Sequence, residues 1–226
     1  MAAGQPLPTS PGLTRVITYI DGFNLYFGLR AGKLKRFYWL DVNSLASNLL
    51  LPNQTLVAAK YFTSRISGPA KGNTSPAAQA LEESRLRQAL YLDALATTPL
   101  QIIEGHFLNK GGHCRACGAT WASFEEKMTD VNIATELLTD AFTNTFDTAL
   151  IISADSDLVP PIRALRHHFP AKRVLVIFPP NRASKELRAA AHANFTIGHG
   201  TLTKSQLPDE VPKQGGFILR RPAFWR

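Results

Sequence analysis

Cysteine is nearly absent from this 226-residue chain, with only Cys114 and Cys117, three positions apart. A disulfide framework of the kind that holds small secreted domains is therefore excluded, and the spacing suits a reduced thiol pair or half of a metal site. No stretch approaches the roughly 18 consecutive apolar residues that a membrane-spanning helix requires. Met1 to Gly12 holds Pro, Ala and Gly with no apolar segment behind a basic start, so it does not read as a secretory signal. Residues 1–14 are expected to be a disordered leader, and the protein to be cytoplasmic. Acidic residues are the scarcer charge, 17 against 25 Lys and Arg, and the formal net charge of +8 favours polyanionic partners such as nucleic acid. Also missing are a Walker-type phosphate loop, a Gly-rich dinucleotide fingerprint, a nucleophile elbow and any internal repeat, which argues against NTPase, dehydrogenase and serine-hydrolase chemistry. What remains is 45% hydrophobic and 19% charged, the proportions of a globular protein with a sizeable core.

The scarce carboxylates are gathered at strand ends. Ala149–Ile152 is a continuous apolar run, as a buried parallel strand should be, and it opens into Ser153-Ala154-Asp155-Ser156-Asp157 and a helix from Leu158 to His168. Asp157, with Pro160 and Pro161 in the first turn, has the composition of a helix cap. That leaves Asp155 at the place where α/β sheets put their ligands. The first strand, Arg15–Ile20, likewise runs into Asp21-Gly22-Phe23-Asn24, with Asn24 closing the turn. A third carboxylate, Asp130, opens a helix over Val131–Phe142 whose buried face is expected to be Val131, Ala134, Leu138, Ala141 and Phe142.

Between these motifs, Leu56–Phe62 reads as the second strand and Ala77–Thr97 as a long helix burying Leu81, Leu86, Leu90 and Leu95. Gln101–Leu108 reads as the third strand and Lys172–Phe178 as the fifth, with Ser184 capping a short basic helix. Strand and helix alternating five times predict a parallel sheet with helices on both faces. The carboxyl ends of such strands share one edge, so Asp21, Asp130, Asp155 and Asp157 form a cluster of up to four carboxylates. Charges that close repel and raise one another's pKa, and a divalent cation removes the conflict. Carboxylate oxygens with water suit Mg²⁺ or Mn²⁺, which would assist attack of water on a phosphodiester.

Gly32–Trp39 mixes cations with aromatics, the combination used for base stacking beside phosphate contacts. Lys33, Lys35, Lys60, Arg65, Arg163 and Arg166 are the candidates for contacts to a nucleic-acid backbone. Cys114 and Cys117 supply half of a tetrahedral Zn²⁺ set, with His113 and His106 nearest for the rest, or a second chain, which would make a homodimer; a metal-free pair is the alternative.

Ile20–Leu25, Glu126–Val131 and Ser153–Asp157 resemble the three acidic motifs of the NYN domain family, and within it the LabA-like branch related to PIN nucleases. The resemblance runs from about Val16 to Ile197. It implies a PIN-like, Rossmann-like three-layer α/β fold with a five-stranded sheet in the order 3-2-1-4-5, and a Mg²⁺- or Mn²⁺-dependent ribonuclease with RNA as substrate. Carried over motif by motif, it makes Asp21, Asp130 and Asp155 metal-binding carboxylates and Asp157 a fourth, with Asn24 orienting Asp21 or the substrate. The domain is expected over 15–198, carrying a Cys-x-x-Cys hairpin, with 199–226 an extension packed on it. The rival readings are a non-catalytic RNA-binding module and a metal phosphoesterase acting on DNA or small phosphoesters.

Overall fold

The computed structural model describes residues 12–69, 72–113, 115–118 and 120–226, and their side chains except at 107–113 and 120–127; the leader up to residue 11 lies outside them. In chain order the elements begin with β1 (Thr14–Asp21), α1 (Gly22–Ala31), α2 (Val42–Asn48), β2 (Gln54–Thr63), α3 (Pro76–Leu95), β3 (Gln101–Glu104), β4 (His106–His113), β5 (Thr120–Lys127) and α4 (Thr129–Phe142). They continue with β6 (Thr148–Ile152), α5 (Val159–His168), β7 (Arg173–Phe178), α6 (Lys185–Ala190), β8 (Ala193–Thr196), α7 (His199–Lys204), β9 (Glu210–Pro212) and β10 (Ile218–Arg220).

Six of these strands pair in the order β3-β2-β1-β6-β7-β8, all parallel, so the sheet runs 3-2-1-4-5-6 where five strands were expected. The addition is β8. Its four residues are all exposed and Ala-Asn-Phe-Thr has no apolar run, so nothing in the sequence marks it beyond the pairing partner that β7 provides. The centre of the sheet is the opposite case: all five residues of β6 and the last six of β1 are buried, because helices cover both faces. One core packs Leu25, Leu29, Val42, Leu45, Leu92, Leu95 and Leu202 against the sheet from α1, α2, α3 and α7. The other packs Ile133, Leu137, Ile162, Leu165 and Leu187 from α4, α5 and α6.

Helix starts follow the expected chemistry. Asp41 accepts from the Asn43 and Ser44 N–H groups, Ser75 from Ala78 and Ser184 from Leu187. Which face each helix buries does not follow as simply. In α4 the buried residues are Thr129, Ile133, Leu137, Asp140 and Ala141, while Val131 and Phe142 are exposed. In α3 they are Ala78, Leu92, Ala94 and Leu95, and Leu86 is exposed. The rotation of α4 has a cause inside the sheet. The Lys60 ammonium lies 2.6 Å from both Glu136 and Asp140, and the Tyr19 hydroxyl donates to Asp140 at 2.6 Å, so a polar side chain is drawn onto the buried face. Lys60 is thus buried under the sheet, which corrects its reading as an RNA contact.

The expected third strand, 101–108, is two elements. Only β3 joins the sheet; from His106 the chain turns out into an antiparallel hairpin of β4 with β5. His106 pairs with Lys127 at the hairpin base and His113 with Thr120 at its tip. Seven strand residues at about 3.4 Å each put His106 roughly 24 Å from the Cys turn, so it does not complete a zinc set there. After α7 the chain crosses back, and Trp225 is buried against Trp39, whose indole N–H donates to the Pro208 carbonyl at 2.8 Å. Among the described residues no helix is long and apolar enough to cross a membrane.

Candidate metal centre

Parallel pairing aligns Ile20 of β1 with Ile152 of β6, so the next residues, Asp21 and Ser153, emerge side by side at the carboxyl edge of the sheet. Asp21 caps α1: one carboxylate oxygen accepts the Asn24 N–H at 2.9 Å, and the other accepts the Ser153 hydroxyl at 2.9 Å. The Asn24 side-chain oxygen accepts the Ala154 N–H at 3.1 Å, tying the two strand-to-helix turns together. Asn24 therefore orients the turn that carries Asp155. The expected cap is exchanged: Asp155, not Asp157, caps the turn before α5 by accepting the Asp157 N–H at 3.0 Å, and Asp157 is exposed. Asp130 comes from the other side of the cleft. Met128, with φ of 76°, turns β5 into α4 and sets Asp130 in the first helical turn, where free N–H groups favour a carboxylate.

One oxygen each from Asp130, Asp155 and Asp157 lies within 4.8 Å of the others. In an octahedral Mg²⁺ shell at about 2.1 Å, adjacent ligands stand about 3.0 Å and opposite ones about 4.2 Å apart, so the three oxygens are near enough to be drawn onto one ion. The all-oxygen set fits Mg²⁺ or Mn²⁺ and suits zinc poorly. Asp21 lines the same open cavity of about 600 Å³ but is outside the converging three, and its oxygens accept from Asn24 and Ser153. Arg182 closes the cavity from the loop after β7. A Cβ on Gly28 would stand 2.6 Å from the Pro179 side chain and 2.7 Å from the Pro180 carbonyl, so glycine there lets that loop approach α1.

The electrostatics match the crowding. Asp130 is pushed up to about 6, first by burial and then by the charges of Asp155, Asp21 and Asp157. Asp21 is also raised, chiefly by burial, with the Asn24 N–H, the Ser153 hydroxyl and Arg182 opposing. An aspartate whose folded pKa exceeds its unfolded value adds stability below the unfolded value, and that stability is lost as pH rises through the folded one. For Asp130 the window runs from 3.8 to about 6. Metal-free protein is therefore expected to melt higher at pH 5 than at pH 7 with respect to this group. Mg²⁺ or Mn²⁺ at a hundredfold excess over its Kd is expected to raise the pH 7 melting temperature by roughly 5–10 °C. Scanning calorimetry at the two pH values with and without metal checks both; a melting point indifferent to metal rejects the site.

None of the six basic candidates lines this cavity. Lys33 and Arg163 are exposed. Arg65 is held by Glu104 at 2.8 and 2.9 Å, and Arg166 donates to the Ala190 carbonyl at 2.5 Å. Lys35 sits 3.6 Å over the Phe224 ring. The cation that does line the cavity, Arg182, was missed by reading composition, although the rule that singled out Asp21 and Asp155 applies equally to the end of the fifth strand. Cys117 is exposed, and Cys114 and the His113 side chain lie outside the described residues; no group of metal ligands among the described residues includes Cys117 or His106.

The NYN domain model matches residues 15–199, most of the chain and all of the acidic edge. The chain belongs to the NYN domain family. It is accordingly a member of the PIN-like nuclease superfamily, and the six-stranded sheet with helices on both faces is that architecture. This NYN protein is similar to 6-hydroxy-3-succinoylpyridine 3-monooxygenase from Pseudomonas putida, 29% identical over 98% of this chain and 78% of that one. A solved structure of a protein of unknown function from Vibrio parahaemolyticus covers 88% of this chain and all of its own, with 16% identity and a TM-score of 0.48.

Proposed function

We propose that this NYN protein is a metal-dependent ribonuclease, and on the spelling of its three motifs we assign it to the LabA-like branch. The observation that carries the reading is the convergence of Asp130, Asp155 and Asp157 on one point at the carboxyl edge of the sheet. These three would hold Mg²⁺ or Mn²⁺, and the ion when bound supplies a polarised water and charge neutralisation at a phosphodiester. Asp21 and Asn24 hold the two turns in register, and Arg182, which lines the same cavity, offers a guanidinium to a non-bridging phosphate oxygen. The net charge of +8 draws RNA toward a locally acidic cleft that only a cation makes attractive to phosphate. The test is cleavage of 5′-labelled single-stranded RNA by wild type, Asp21→Asn and Asp155→Asn, in Mn²⁺, Mg²⁺ and EDTA. Cleavage that needs metal and is lost in both variants supports the reading; equal activity in all three proteins refutes it.

A second reading rests on the Pseudomonas putida relative, whose name gives a monooxygenase of a substituted pyridine and whose match spans nearly the whole of this chain. Under it the same cleft would serve a heteroaromatic small molecule. Dioxygen uptake on adding 6-hydroxy-3-succinoylpyridine with a reductant present, in a preparation that leaves RNA intact, would replace the first reading by the second.

A further inference from the structure

Beside the acidic cleft lies a second, apolar cavity of about 150 Å³ that plays no part in holding a metal. Most of its wall is aromatic, from Tyr26, Tyr38, Tyr61, Tyr91, Phe224 and Trp225, with Thr63, Ser84, Arg87 and Gln88 adding polar atoms. Tyr38 stands 5.1 Å from Tyr26 and 6.0 Å from Trp225 between ring centres, and Tyr91 a further 6.0 Å from Trp225, so these rings pack tilted or edge to face against one another as a continuous wall of the space. Tyr26 and Phe224 are 39% and 55% exposed, at a mouth where apolar surface is left open to water. The far wall is brought in by the end of the chain, which Arg221 anchors by donating to the Trp225 carbonyl at 2.7 Å. The near wall depends on Gly22, where a Cβ would lie 2.6 Å from the Tyr61 ring.

Three features identify the occupant. A cavity of roughly 150 Å³ holds a benzene ring, so one six-membered ring fits within it, whereas a fused purine would have to extend its second ring into the open mouth. Positive charge rims the mouth: the Lys35 ammonium lies 3.6 Å and the Arg87 guanidinium 5.0 Å from the Phe224 ring centre. The Arg87 partner, Glu83, is 68% exposed at 3.1 Å and neutralises it weakly. Finally, Phe23 lines both this cavity and the acidic one, and Gly22 follows Asp21 directly, so the two spaces share the first turn of α1 as their partition. A flat ring in one space, an anion at the rim and a reacting group in the other are parts of a single nucleotide strand.

We propose that this cavity is a base subsite that takes a pyrimidine of the RNA whose phosphodiester meets the carboxylates, giving the enzyme pyrimidine selectivity. The inference rests on the nuclease reading for its substrate and on the ring cavity for its specificity.

Equilibrium binding of UMP, CMP, AMP and GMP to the full chain in EDTA, followed by tryptophan fluorescence, tests the subsite without any cleavage. UMP and CMP are expected to bind about tenfold tighter than AMP and GMP. Tyr26→Ala, at the exposed mouth, is expected to weaken pyrimidine binding roughly tenfold, the scale of one lost stacking contact. Arg87→Gln, a milder change, is expected to weaken it several-fold. On a mixed-sequence RNA with Mn²⁺, cut sites are expected to carry a pyrimidine at one fixed offset, and Tyr26→Ala to flatten that pattern. Equal binding of purines and pyrimidines, or tighter binding of 6-hydroxynicotinate than of any nucleotide, overturns the proposal. Pyrimidine binding without metal-dependent cleavage would end the nuclease reading and keep the subsite; cleavage without base selectivity would do the reverse.

Discussion

Asp130→Asn is expected to stabilise the metal-free protein at pH 7 while removing its activity. Asp130 is half-buried among Asp155, Asp21 and Asp157 and pushed up to about 6, so at pH 7 its ionised form is held against burial and like charge. Asparagine keeps the shape and relieves the repulsion, and each kilocalorie of relief corresponds to roughly 2–4 °C in a protein of this size. The same change takes one of three convergent oxygens from the centre. Loss of metal-supported charge stabilisation is expected to cost about 10³-fold in the cleavage rate. Melting curves in EDTA and single-turnover cleavage in Mn²⁺ measure the two effects on one variant. A variant that melts lower than wild type without metal, or cleaves at the wild-type rate, would show that these carboxylates are not arranged around a cation.

The second large effect lies on the opposite side of the sheet from the aromatic cavity. Lys60→Met is expected to destabilise the fold by about 3 kcal/mol, because it leaves the buried Asp140 carboxylate without its cation. In melting temperature this is a fall of roughly 6–12 °C. Adding Asp140→Asn is expected to restore much of it, since burying an unpaired charge costs more than losing the pair. RNA binding by the folded variant is expected to match wild type, because Lys60 lies under the sheet and outside the acidic cavity. Thermal denaturation of the two variants beside a filter-binding assay separates the outcomes; a stable Lys60→Met protein with weakened RNA affinity would return Lys60 to the RNA-binding surface.

Much of the architecture was written locally. The strands β1, β2, β6 and β7 announce themselves as apolar runs because both faces of a parallel sheet are buried, and Ser184 marks a helix start because capping needs nothing beyond the next turn. The same logic applied to strand ends picked out Asp21 and Asp155, and the first turn of a helix picked out Asp130. These are statements about neighbours in the chain, and the chain alone suffices for them.

Other features depend on residues far apart in sequence. The exposed β8 exists because β7 offers an edge to pair with. The hairpin of β4 and β5 leaves the sheet because residues 106–113 find a partner in 120–127, not in β2. The α4 helix turns Asp140 inward because Lys60 and Tyr19 wait beneath it, a pairing over 80 and 121 positions that no periodicity records. The division of labour among the carboxylates was decided the same way: Asp21 is held by Ser153, 132 residues away, and Asp130, Asp155 and Asp157 converge without it. Arg182 comes from a loop, and the aromatic cavity from α1, β2, α3 and the chain's tail, which only packing brings together. By itself the sequence determined the central strands and the presence of an acidic edge, because these follow from local propensity and alternation. The tertiary structure alone decided which carboxylates converge, which cation faces them and what ring-shaped space stands beside them, because each depends on the packing of distant segments.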